Sequence, residues 1–174
     1  MNSQIFKCLL AVFLFSFSLI TAQTSPSIVE TTEKSDNHKL LAAAVKATDI
    51  DDILAESGPF TVFAPSDAAF QRFSADKLQQ LMSSNDKSKL KSLVSYHIVA
   101  GKLTASRILK ALCRGNGKAS FTTIQGKKLQ AHMEGYDIIL TDPLGNTAKI
   151  TQADVNQQNG VVHEIDSVIV PTQM

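Results

Sequence analysis

The stretch GPFTVFAPSDAAF, residues 58–70, decides how the chain is read. Phe60, Thr61, Val62 and Phe63 are aromatic or β-branched and lie between Gly58 and Pro65, which is a strand signature. After Pro65, Ser66 has the side chain of a helix N-cap and Asp67 adds negative charge to the first turn. Pro65 is also placed to staple against Phe70. A strand is therefore expected to stop at the proline and restart at once as a helix.

Working outward, DNHKLLAAAVKATDIDDILAES spaces Leu40, Leu41, Ala44 and Val45 helically, and Ile50, Ile53 and Leu54 repeat the pattern after Asp49. Two short helices are expected there. Downstream, one helix is expected around Leu78–Met82, and in another Leu90, Leu93, Val94 and His97 share a face. Gly101 ends that run, and Thr104 or Ser106 caps the next helix, TASRILKAL. Beyond Cys113 about five short β-rich runs are separated by Gly126, Gly135, DPLGN and NQQNG. Helices first and strands after point to an α+β domain rather than a doubly wound parallel sheet.

The first 22 residues have the parts of a secretory signal: Lys7, the apolar run CLLAVFLFSFSLI, and Ala22 as a cleavage site. The run is shorter than the roughly 20 residues that span a bilayer. Lys7 directly before Cys8 does not fit a lipoprotein signal. Residues 23–35, QTSPSIVETTEKS, are polar and aperiodic and are expected to form a flexible leader, with the domain occupying residues 36–171. A periplasmic, cell-surface or secreted location follows. Cys113 is then the one cysteine of the exported chain, so packing rather than a disulfide must hold the fold.

Common catalytic signatures are missing: there is no G-x-S-x-G, no glycine-rich phosphate loop, no H-E-x-x-H and no C-x-x-C. His38, His97, His132 and His163 lack ligand spacing, so no metal and no cofactor is expected. Ser66, His97 and Asp166 are the residues from which a nucleophile, base and orienter could be assembled. Ser66 already has a sufficient role as a cap, however, and His97 and His163 lie on apolar faces where a hydrogen-bonded core histidine is the simpler reading.

Three segments taken in order, FTVFAPSDAAF, LVSYHIVAGKL and NGVVHEIDSVIVP, resemble the signature segments of the fasciclin (FAS1) domain family over about residues 36–171. The resemblance implies a wedge-like α+β domain, a β-sandwich flanked by helices, serving as a non-enzymatic adhesion or extracellular interaction module. It implies that the first and last segments are neighbouring strands, with Thr61 and Asp67 associated with His97. It also implies structural roles for Tyr96, Asn159 and His163, and a partner-binding role for Tyr96 and His97.

Charge placement adds a separate expectation. Without Lys7, basic and acidic residues balance at 16 each, yet between Asp86 and Glu134 there are ten Lys or Arg and no acid. Those ten are Lys87, Lys89, Lys91, Lys102, Arg107, Lys110, Arg114, Lys118, Lys127 and Lys128. Lys87 and Lys91, like Arg107 and Lys110, have helical spacing that makes neighbours. The partner expected is a cell-surface or matrix protein, or an anionic polysaccharide met by this segment. Nucleic acid is disfavoured by the export signal and the lack of a recognition motif. The alternative is an exported binder of a small apolar ligand, lodged between helices and sheet.

Overall fold

The computed structural model describes residues 25–172, so the expected signal at residues 1–22 lies outside the described residues. Thirteen elements follow: helices α1 (Ile28–Lys34), α2 (Lys39–Lys46) and α3 (Ile50–Glu56), strand β1 (Phe60–Pro65), helices α4 (Asp67–Ser83) and α5 (Ser88–Tyr96), strand β2 (Ile98–Ala100), helix α6 (Ala105–Arg114), and strands β3 (Lys118–Thr122), β4 (Lys128–Glu134), β5 (Asp137–Thr141), β6 (Thr147–Gln157) and β7 (Gly160–Ile165).

The strands form one sheet in the order β2-β1-β7-β6-β5-β4-β3. β1 and β7 run parallel side by side, from Phe60 opposite Gly160 to Pro65 opposite Ile165, and every other neighbouring pair is antiparallel. The long β6 runs through both halves of the expected sandwich. Its pairing with β7 shifts register between Ile150 and Gln152 and again between Gln152 and Val155, and such bulges bend a strand and raise its twist. At the far side a bridge between Val99 and Thr123, with Ile124 N–H donating to Ile98 O at 2.8 Å, brings the two ends of the sheet together. The result is an α+β fold whose sandwich is a single, nearly closed sheet.

Two apolar clusters fill it. One joins α1–α5 to Phe60, Val62, Ala64 and Val162. The other gathers Phe63, Tyr96, Val99, Ile108, Leu112, Leu129, Leu140 and Ile165, inside the curved sheet and under α6. Because side chains alternate along a strand, β1 supplies both, which is why all six of its residues are buried.

Two expectations need correction. Residues 28–34, taken as part of a flexible leader, form α1, whose capping box pairs Ser27 with Glu30 and whose Ile28 is 1% exposed in the main core. Its sequence is polar because only one stripe of a two-turn helix is buried. The expected helix around Leu78–Met82 is the second half of α4, entered through a break at Ser74 (φ 152°, ψ 105°). Ser74 Oγ accepts from Lys77 N–H at 3.3 Å, so the break is itself capped.

Candidate functional site

The turn from β1 into α4 forms as its residues dictate: Ser66 is the N-cap and its Oγ accepts from Ala69 N–H at 3.2 Å. Asp67 does more than charge the first turn. Its carboxylate accepts from Lys39 N–H (3.3 Å) and Leu40 N–H (2.8 Å), supplying the cap that α2 lacks at His38. Thr61 Oγ1 donates to Gly101 O (2.6 Å) and accepts from Leu103 N–H (2.8 Å), pinning the loop after β2.

Neither Thr61 nor Asp67 is the polar partner of the His97 ring. His97 ends α5 at 1% exposure. Its Nδ1–H donates to Leu93 O (2.9 Å), and Nε2 accepts from the buried Ile169 N–H (3.3 Å), so the ring ties α5 to the segment after β7. The first segment reaches His97 through the backbone, Phe63 N–H donating to His97 O at 2.9 Å. Burial pushes the His97 ring down to about 4, outweighing the opposing pull of the Leu93 carbonyl and the Asp142 carboxylate.

His163 repeats this arrangement. It is fully buried and stacks on Phe63 at 5.6 Å; its Nε2–H donates to Leu103 O (2.7 Å), and its Nδ1 accepts from Asp154 N–H (3.1 Å). Burial lowers its pKa as well. Asp154, at the β6 bulge with φ 60°, uses its carboxylate to accept from Ala105 N–H at the start of α6 (2.8 Å). Tyr96 is fully buried, donates its hydroxyl to Lys128 O at 2.8 Å, and is pushed up to about 12, chiefly by that burial. In this conformation Tyr96 and His97 present no side-chain surface to a partner.

Asn159 fastens three elements. Its Oδ1 accepts from Ile28 N–H (2.9 Å), its Nδ2 donates to Leu54 O (2.6 Å), and its carbonyl accepts from Phe60 N–H (2.9 Å). Ser66, His97 and Asp166 do not assemble as a triad: both His97 nitrogens are occupied as above, and Asp166 Oδ1 accepts from Lys149 N–H at 2.8 Å. Sequence reasoning missed Asp142. Buried at the β5–β6 turn, its carboxylate accepts from Leu144, Asn146 and Val170 N–H and from Asn146 Nδ2, each at 2.9 Å. DPLGN had the composition of a turn but nothing to show that it anchors residues near the C-terminus.

Of the basic residues, Lys91, Arg107 and Lys110 are exposed, while Lys87 is half-buried with its ammonium on Met82 O. An apolar groove of about 260 Å³, lined by Leu40, Phe70, Leu78 and Met82, lies between α2 and α4 rather than between helices and sheet. It is smaller than the roughly 300–1,000 Å³ of ordinary ligand sites. Among the described residues there is no cluster of three metal-ligating side chains, and no helix is long and apolar enough to cross a membrane.

The fasciclin domain family model matches residues 36–171. Protein sll1483 of Synechocystis sp. is 32% identical over 154 residues, covering 88% of this chain and 78% of that protein. Human periostin is 28% identical over 152 residues, covering 87% of this chain and 17% of periostin. In three dimensions the chain is similar to a FAS1 domain pair from the insect cell adhesion molecule fasciclin I, with a TM-score of 0.72 at 18% identity over 83% of this chain and 51% of that one. The paired first and last segments, the buried Tyr96–His97 junction and the family match lead to one conclusion: the chain belongs to the fasciclin domain family.

Proposed function

We propose that the chain is an exported, non-catalytic adhesion module, and that its basic segment between Lys87 and Lys128 binds an anionic envelope or matrix polysaccharide. The family resemblance to a cell adhesion molecule supports the first half. One observation carries the second: among the described residues none of the ten basic side chains of that segment forms an ion pair, and eight of them are exposed. Helix α6, with Arg107, Lys110 and Arg114, packs on β3 and β4, which add Lys118 and Lys128. The β3–β4 connection is tied in turn to α5 by a hydrogen bond from Gln125 Nε2 to Ser92 Oγ (2.5 Å). Fields from cations within about 8 Å add at physiological salt. Lys87, engaged with Met82 O, is left out of the surface.

The test is salt elution from a heparin column. Wild type should be retained, and a folded Lys91→Glu, Arg107→Glu, Lys110→Glu variant should elute at clearly lower salt. Equal elution of the two refutes the reading. Export with removal of residues 1–22 should leave Gln23 first by intact mass; retention of Met1 refutes that part.

A further inference from the structure

A second surface feature lies outside the basic segment. Between the first half of α4 and the β5–β6 turn is an open groove of about 490 Å³, lined by Arg72 and Phe73 from α4, Asn146 and Thr147 from the turn and the start of β6, and Ser167 and Val168 after β7. Its volume is in the range of small-molecule clefts, roughly 300–1,000 Å³.

The polar groups of this groove are held in place yet left open. Arg72 donates through Nη2 to Asp166 O, which orients the guanidinium, and no carboxylate among the described residues pairs with it. Asn146 donates its Nδ2 to the buried Asp142 carboxylate at 2.9 Å, which fixes the amide and leaves Oδ1 without a partner among the described residues. The hydroxyls of Thr147 and Ser167 likewise have no hydrogen-bond partner there. Phe73 contributes a half-buried ring, with the Lys77 ammonium 5.7 Å from its centroid.

A planar guanidinium with spare donors matches a carboxylate by two parallel hydrogen bonds. The amide oxygen and the two hydroxyls match a ligand rich in O–H groups, and the ring offers an apolar surface for C–H groups. A bare anion would use only the first of these, and a neutral sugar only the others. We propose that this groove binds a uronic-acid residue of an acidic polysaccharide, with its carboxylate on Arg72 and its hydroxyls on Asn146, Thr147 and Ser167. The proposal rests on the polysaccharide reading for the source of the ligand, and names the sugar class at a site separate from the basic helices.

Saturation-transfer NMR and calorimetry with trigalacturonate, its methyl ester and cellotriose test it. Trigalacturonate should bind, while the ester and the neutral sugar bind at least tenfold more weakly. Arg72→Gln should weaken trigalacturonate at least tenfold, and Thr147→Ala, at an exposed position, about threefold. The Lys91→Glu, Arg107→Glu, Lys110→Glu variant should bind it as wild type does. Equal binding of the ester, full displacement by equimolar inorganic sulfate, or unchanged affinity in both Arg72→Gln and Thr147→Ala overturns the proposal. Heparin retention without trigalacturonate binding overturns this site alone and leaves the basic segment standing.

Discussion

Taking the protein from pH 7.5 to pH 5 should weaken the fold through two histidines that it holds uncharged. In the native state His97 is pushed down to about 4 by burial, and His163 is lowered for the same reason. In the unfolded chain both return to about 6.5. Between those values the unfolded state binds protons that the native state does not, so stability is fully present above about pH 6.5 and is lost as pH falls towards 4. For His97 the full loss is about 3 kcal/mol, of which about 2 kcal/mol is gone at pH 5, and His163 acts in the same direction. The geometry supplies the reason: each ring already uses one nitrogen as donor and one as acceptor, so an added proton would face the Ile169 or Asp154 N–H. Urea unfolding at pH 7.5, 6 and 5 should show the midpoint falling by about 1 M at the lowest pH, given a slope of about 2 kcal/mol/M. His97→Gln, uncharged throughout, should be less stable at pH 7.5 but should flatten the decline. A midpoint unchanged between pH 7.5 and 5 in the wild type, or the same decline in His97→Gln, would refute the reasoning.

Gly160→Ala should cost about 3–5 kcal/mol in urea or thermal melts, because a Cβ there would collide with the Phe60 carbonyl on the neighbouring strand and crowd Ile28 Cδ1; a loss under 1 kcal/mol would show that β1 and β7 separate easily. Cys113 is exposed at the end of α6, so Cys113→Ser should unfold within about 0.5 kcal/mol of wild type. A non-reducing gel showing a disulfide dimer of the protein would instead make it an assembly point.

The parts of the fold readable from sequence were those fixed by residues close together in the chain. Pro65 ending β1, Ser66 reaching three residues on to Ala69, Thr104 capping α6, and the apolar face of Leu90, Leu93 and Val94 that buries His97 all work over one or two turns. What the sequence did not reveal was the far partner. His97 meets Ile169 across 72 positions, Asn159 meets Ile28 across 131, and Asp142 meets Val170 across 28. A buried histidine needs some donor and acceptor, but residue type does not say which backbone amide the topology will deliver. Helix α1 was missed for a related reason, since one buried Ile28 is too little periodicity to stand out from a polar leader. The same applies to the groove at Arg72, whose three segments are far apart in the chain and meet only in the fold.

The parallel pairing of β1 with β7 bears on when the molecule can fold. β7 sits between β1 and β6, so the strand that joins the two parts of the sheet is also the last of the described strands to be made, about 100 residues after its partner. Closing so long a loop costs entropy before any of its contacts repay it. Until Gly160–Ile165 has left the ribosome, β1 lacks one neighbour and His97 lacks the Ile169 amide. A chain of this design cannot complete its sheet until two strands about 100 residues apart are both free to meet, so the closing of the sheet is a long-range event rather than a local one.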